Sequence, residues 1–332
     1  MGNLHMDAEP FEIQLIEHWI KHPMSIQSLV DWPLLSEVFR PDLSQRIARI
    51  VAGDHERHAA PWKLQFKRGK TYFYPGSLED LIAYVGAVVR CMPAIATAID
   101  DAADRLDFSP PRAADIALGG SGTVRYWSHY WQSFSAQVCK QQVGHVVIAH
   151  ADVRHCFKNI APRILMRRLG ELGAAPRAMQ QLEQLLSFWA DYDCPGLPFL
   201  HASRLLMRLY LSPVDAALRQ AGVSALRIGD DFRIFCRSEN EVQVSLGVLE
   251  QALANEELKL AAEKTWIESI GNPPNMLQRL HRNLPRKLKL GIVRPLLGRM
   301  LINRQLRSFA IGVLHKLPAR VQRATESVKT TG

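Results

Sequence analysis

The sequence predicts an α+β fold, an antiparallel sheet of split βαβ type backed by helices, and three observations carry that reading. Residues 225–236 place one apolar run (Ala225, Leu226, Ile228) before a Gly-Asp-Asp turn and a second (Phe232, Ile234, Phe235) after it. This is the pattern of a β-hairpin. Residues 145–151 form a compact apolar strand that ends at Asp152. Helical periodicity fills the interval between them and resumes afterwards. The order over 145–268 is therefore strand, helices, hairpin, helix, strand.

Taken from the start, residues 11–53 read as helices, with Phe11, Leu15, Ile16 and Trp19 on one face and a second pattern from Leu29 to Val51. Residues 61–76 mix basic and aromatic side chains around Gly69. Lys67, Arg68 and Lys70 beside Tyr72, Phe73 and Tyr74 suit either an ordinary basic hairpin or contact with nucleic acid by charge and stacking. A long helical pattern runs over 78–106 with an interruption expected near Pro93, and Ser109-Pro110-Pro111 ends it. Residues 118–124 are glycine-rich but match neither phosphate-loop nor dinucleotide spacing. An aromatic segment from Arg125 to Phe134 leads into a helix ending near Gln142. Beyond Asp152, helices are predicted from about 160 to 173 and from Pro176 to Tyr192. Gly196-Leu197-Pro198 then breaks the chain, and a helix from Ala202 carries Pro213 inside it. After the hairpin come a helix over 240–255 and a short strand around Leu258–Leu260, followed by Lys264-Thr265.

At 332 residues and 47% hydrophobic content the chain can bury a substantial core. It shows no uninterrupted apolar run of about 18 residues and no signal-like start, which predicts a soluble, cytoplasmic protein with no membrane partner. Five scattered cysteines, odd in number and never in CxxC spacing, argue against both a zinc module and a disulfide framework. The formal charge of +9 is uneven. From Gly271 onward there are 13 Lys and Arg against one acid, Glu326, a net +12, which leaves the body at −3. Leu277, Leu280, Leu284, Leu288 and Leu290 interleave these charges, as on amphipathic helices that grip a polyanion.

The chemistry gathers at the hairpin. Gly229 permits the turn, and Asp230 and Asp231 offer hard oxygen ligands at a rigid tip. A lone Gly-Asp-Asp is also a common solvated turn. If the first strand neighbours the hairpin, however, Asp152 converges on Asp230 with Asp231 adjacent. That set of carboxylates suits two divalent ions and in-line phosphoryl transfer.

On these residues the chain resembles the reverse transcriptase family. Asp152-x4-Phe157 resembles its first motif, Gly196-Leu197-Pro198 to Ser203-Arg204-Leu205-Leu206 its second, Arg227-Ile228-Gly229-Asp230-Asp231 its third, and Leu258-Lys259-Leu260-x3-Lys264-Thr265 its fourth. Two departures stand out: Pro198-Phe199-Leu200 replaces the usual Pro-Gln-Gly, and Ile228 replaces the usual tyrosine. The resemblance implies a right-hand polymerase with helix-rich fingers over 1–143, a palm over 144–270 (fingers helices inserted at about 161–192), and a basic helical thumb over 271–332. It implies Mg2+, or Mn2+, held by Asp152, Asp230 and Asp231, and Lys264 near the triphosphate. Phe157 becomes a steric gate against ribonucleotides, and Ser203, Arg204 and Arg125 become nucleotide contacts. Arg279, Arg282, Arg286, Lys287, Lys289 and Arg294 are the expected nucleic-acid contacts.

The second motif is most similar to that of bacterial defence-associated, abortive-infection-like reverse transcriptases. The implied substrates are dNTPs and an RNA template or structured non-coding RNA, with a second copy or a partner protein as a further expectation. Three other readings stay open: a template-independent or protein-primed DNA polymerase, a non-catalytic RNA-binding palm, and an RNA-dependent RNA polymerase. Phe157 disfavours the last of these.

Overall fold

The computed structural model describes residues 10–21, 34, 40–53, 58–65, 71–99, 106–109, 133–142 and 144–270. Helices α1 (Pro10–Lys21) and α2 (Leu43–Val51) precede a hairpin, β1 (Trp62–Gln65) with β2 (Thr71–Tyr74), and the long α3 (Leu78–Ile99). A helical stretch at 133–141 comes before β3 (Val147–Asp152). Then follow α4 (Pro162–Glu171), α5 (Pro176–Asp191), α6 (His201–Gln220), β4 (Ala225–Ile228), β5 (Asp231–Cys236), α7 (Glu239–Asn255) and β6 (Trp266–Ser269).

The helix starts are written in the sequence. Proline occupies the first turn of α4 and of α5, where its missing N–H is not needed. Ser238 caps α7 by accepting from the Glu241 N–H at 3.2 Å. Two helices run through a proline. In α6, Pro213 cannot donate to the Leu209 carbonyl, and the Ser212 hydroxyl does so instead at 2.8 Å. The interruption expected near Pro93 does not occur, and α3 is continuous to Ile99. It is packed against α1, α2, α5 and α6, so burial outweighs the lost hydrogen bond. By length and composition α3 alone among the described residues could cross a membrane, but here it is the central helix of the core. The next described residues, 106–109, are not helical, so the helical pattern expected to reach 106 stops at Ile99. Residues 106–109 lie extended along β4, with a parallel bridge from Asp107 to Arg227.

The principal sheet has the order β4-β5-β3-β6, antiparallel throughout. The expected strand at Leu258–Leu260 is only a single bridge, Val153 to Leu260, and the true fourth strand is β6. Strand β6 is an edge strand with Trp266 and Ile267 exposed, so its apolar residues do not show the inward alternation that marks a strand in sequence. On the back of the sheet Ala149, Ala151, Phe232 and Ile234 join one contiguous core that reaches from Leu15 to Leu258. On the front Ile148, Leu226, Ile228 and Phe235 form a smaller cluster with Phe108 and Phe134. Strand β3 and the β4–β5 hairpin bring three aspartates to one end of this sheet.

Candidate active site

Register decides where the acids meet. Strand β3 pairs with β5 so that Asp152 stands directly opposite Asp231. Strands β4 and β5 pair through Ile228 and Asp231, leaving Gly229 and Asp230 as a two-residue turn. Gly229 has φ +68°, a conformation that only glycine adopts without cost, and glycine at the first central position is a favoured hairpin choice. The Val153 N–H donates to the Asp230 carbonyl at 3.2 Å, which ties the turn to the end of β3.

The three carboxylates have different surroundings. Asp152 is ion-paired to Lys264, and Asp231 accepts from Arg233 at 2.7 Å. Asp230, in the turn beside them, is half-buried. Its carboxyl is pushed up to about 6, first by burial and then by the negative charges of Asp152 and Asp231. On α6, burial lowers the Arg204 guanidinium to about 10 while Asp230 opposes the shift, so Arg204 lies within the field of the cluster. Tyr72 of β2 feels the same field. Its phenol is raised by burial and then by Asp230, with Lys264 opposing and Asp152 adding.

Phe157 sits on a single helical turn (Cys156–Asn159) that follows His155, whose φ is +46°. The second motif docks onto this turn: the Leu197 N–H donates to the Phe157 carbonyl at 2.8 Å. A Cβ on Gly196 would lie 2.1 Å from that same oxygen and 2.6 Å from the Lys158 carbonyl oxygen, so only glycine lets the two segments approach. Next along, the Phe199 N–H donates to the Phe73 carbonyl at 2.9 Å. The Phe199 ring lies 4.1 Å from Tyr72, edge-on to Tyr74 at 6.3 Å and edge-on to Phe157 at 5.6 Å. An aromatic row thus joins β2, the second motif and the turn after Asp152.

Among the described residues the expected Asp152, Asp230, Asp231, Lys264 and Arg204 converge, Phe157 lies on the turn after Asp152, and Ser203 is a correction. Ser203 is not at the site. It is fully buried and hydrogen-bonded to Tyr84 of α3 at 2.8 Å, because its position on α6 faces the helical core. Lys264 is present, but bonded to Asp152 itself. Arg125, Arg279, Arg282, Arg286, Lys287, Lys289 and Arg294 lie outside the described residues, as do Lys67, Arg68 and Lys70. Arg233, the cation on Asp231, was not anticipated. Its signal was a charge two positions beyond an aspartate in a strand of period two, which puts both on one face.

The donor set fits hard divalent cations that share their coordination with phosphate. Among the described residues no three His, Cys, Asp or Glu side chains close around an ion by themselves. Magnesium does not need such a cage, because it is commonly held by one or two carboxylates together with substrate phosphates. The burial of Asp230 among like charges is the strain that a cation there would relieve.

A palm-like antiparallel sheet carrying clustered aspartates at one end defines a nucleotidyl-transfer scaffold. The family model described as "Reverse transcriptase (RNA-dependent DNA polymerase)" matches residues 108–293, more than half of the chain, and the chain belongs to that family. The activity this indicates is RNA-directed DNA polymerisation. No curated protein matches the chain.

Proposed function

We propose that this chain polymerises dNTPs into DNA by metal-dependent nucleotidyl transfer, acting in phage defence together with a structured non-coding RNA. The observation that carries the chemistry is the placing of Asp152 opposite Asp231 with Asp230 at the turn between β4 and β5. Asp152 and Asp230 hold Mg2+ or Mn2+, with Asp231 in support. Bound there, the ions would activate the attacking hydroxyl and neutralise charge on the triphosphate. The hydroxyl oxygen bonds to the α-phosphorus of the incoming dNTP, and pyrophosphate leaves. Phe157, steadied by Phe199, blocks a ribose 2′-hydroxyl, and Arg204 supplies positive charge beside Asp230. In this reading residues 1–143 serve as fingers, 144–270 as palm and 271–332 as a thumb that grips the nucleic-acid backbone by charge.

The defence setting rests on the likeness of the Gly196-Leu197-Pro198 to Leu206 segment to that of abortive-infection-like enzymes. Phe199 favours a second reading, untemplated or protein-primed DNA synthesis. It stands where a glutamine is usual, and its ring packs against Tyr72 at 4.1 Å, tilted by 31°.

The test is incorporation of labelled dNTPs or NTPs with Mg2+ or Mn2+, with and without co-purifying RNA, beside an Asp230→Ala/Asp231→Ala control. Label from dNTPs only, lost in the control, is the expected outcome. Synthesis that persists after RNA is removed would select the untemplated reading. NTP-only incorporation would point to an RNA polymerase, and tight RNA binding with no incorporation to a scaffold.

A further inference from the structure

Behind the catalytic turn lies a second charged cluster that the chemistry above does not use. Arg227, on the back face of β4, is 1% exposed. Its Nε and Nη2 donate to the two carboxylate oxygens of Asp215 on α6, both at 2.7 Å. Its Nη1 reaches Asp107 Oδ1 at 3.1 Å and the Gly229 carbonyl at 3.0 Å. Asp107 also accepts from Arg208 Nε at 2.6 Å and from the Ser109 hydroxyl. Ser109 Oγ, in turn, accepts from the Gly229 N–H at 2.6 Å. Residues 106–109 are strapped to β4 by two backbone bonds, Phe108 N–H to the Arg227 carbonyl at 2.8 Å and Arg227 N–H to the Leu106 carbonyl at 2.7 Å. Ser109 is 2% exposed, so water does not compete for this bond.

We propose that Ser109 and Arg227 are positioning residues of the polymerase, which clamp both backbone groups of Gly229 and so fix the point from which Asp230 is presented to metal and nucleotide. The proposal rests on the polymerase reading and deepens it. A two-residue turn has few ways to hold its shape, and the carboxylate it carries is repelled by Asp152 and Asp231. Gly229 is not confined by crowding. A Cβ there would meet only the Met207 methyl, at 3.7 Å, so its position is set by these two hydrogen bonds and by the strand ends. A turn held by dry, directional bonds needs no rearrangement as charge develops in the transition state, which is the condition for electrostatic stabilisation of the reaction. Displacement by a fraction of an ångström would therefore cost turnover more than nucleotide affinity.

The test compares Ser109→Ala with Phe108→Leu in the full chain. Both lie on the same strap, but only the first removes an acceptor from the turn. Four quantities are read: kcat and KM for dNTP, the apparent Kd for Mn2+ without nucleotide, amide exchange across 228–231, and Tm. Ser109→Ala should lower kcat about tenfold or more, with KM changed less than about twofold, weaken Mn2+ severalfold and speed exchange at the turn. Phe108→Leu should lower Tm by as much or more while leaving kcat and Mn2+ binding near the wild type. Arg227→Lys, which keeps the charge but loses the fork, should behave as Ser109→Ala does. Unchanged kcat and Mn2+ binding in Ser109→Ala, or equal kinetic losses in both strap variants, would overturn the clamp. If wild-type protein incorporates no nucleotide, the polymerase reading fails by itself, and the Mn2+ and exchange measurements still decide whether Ser109 fixes the turn.

Discussion

The front and the back of the β4–β5 hairpin carry similar numbers of charged side chains and treat them in opposite ways. At the back, Asp107 and Asp215 are matched by Arg208 and Arg227, each acid facing at least one arginine. Burial raises both carboxyls; Arg227 and Arg208 outweigh it at Asp107 and hold that group below its ordinary value, while at Asp215 burial prevails over Arg227 and the group stays above it. At the front, three carboxylates share one edge. Lys264 and Arg233 engage Asp152 and Asp231, and Asp230 in the turn beside them is pushed upward by burial and by its neighbours. A buried cluster that balances itself is complete as a piece of structure. One that leaves a carboxyl pushed upward by two like charges is eased by something that binds, and the sign of those charges names the ligand as a cation.

The comparison is sharpened most by removing one member of the balanced set. Arg227→Met leaves Asp107 and Asp215 buried with less positive charge than they need, and should destabilise the protein by about 3–5 kcal/mol. Adding Asp215→Leu should recover a good part of that loss, since it removes an orphaned acid. Chemical denaturation of the two variants measures this. A single variant that unfolds at wild-type denaturant concentration would show that the quartet contributes little.

Added metal should act on the front alone. Mg2+ or Mn2+ at about 100 times its Kd should stabilise wild-type protein by about 2.7 kcal/mol, and should do nothing for the Asp230→Ala/Asp231→Ala protein. A thermal shift series with and without chelator reads both. Equal stabilisation of the two proteins would place the cation elsewhere.

The front of the hairpin was far more legible in sequence than the back, for a physical reason. Residues 225–236 are contiguous, and turn chemistry plus period-two alternation specify a hairpin without help from the rest of the chain. Asp152 at the end of an apolar strand needed one further step, that the strands be neighbours, and the antiparallel plan supplied it. The clamp joins Ser109 to Gly229 and Asp107 to Arg208 across about a hundred residues, and no local pattern announces such pairs. A trace was present: Arg227 interrupts an otherwise apolar strand, and a charge in such a place must find partners. Ser203 failed in the opposite direction. The second-motif resemblance makes Ser203 a nucleotide contact, and the packing of α6 on α3 shows instead that its hydroxyl meets Tyr84 in the interior. The fourth strand was misplaced because exposed Trp266 and Ile267 hide the period of an edge strand, while Leu258 and Leu260 imitate one.

The smallest expected effect has the most informative sign. Arg233 donates to Asp231 from the same face of β5, and the pair is only partly buried, so its own contribution to stability is about 1 kcal/mol or less. If the front is a cation site, Arg233 also competes with the metal, because it lowers the negative potential that the metal would otherwise meet. Arg233→Gln should therefore tighten Mn2+ binding by about twofold to fivefold, the equivalent of that modest pairing energy, with little change in Tm. Titration calorimetry of the nucleotide-free protein measures the affinity directly. A weaker Mn2+ affinity would mean that Arg233 orients Asp231 rather than screening it. The front would then resemble the back, with its cations part of the architecture and only Asp230 left for the ligand.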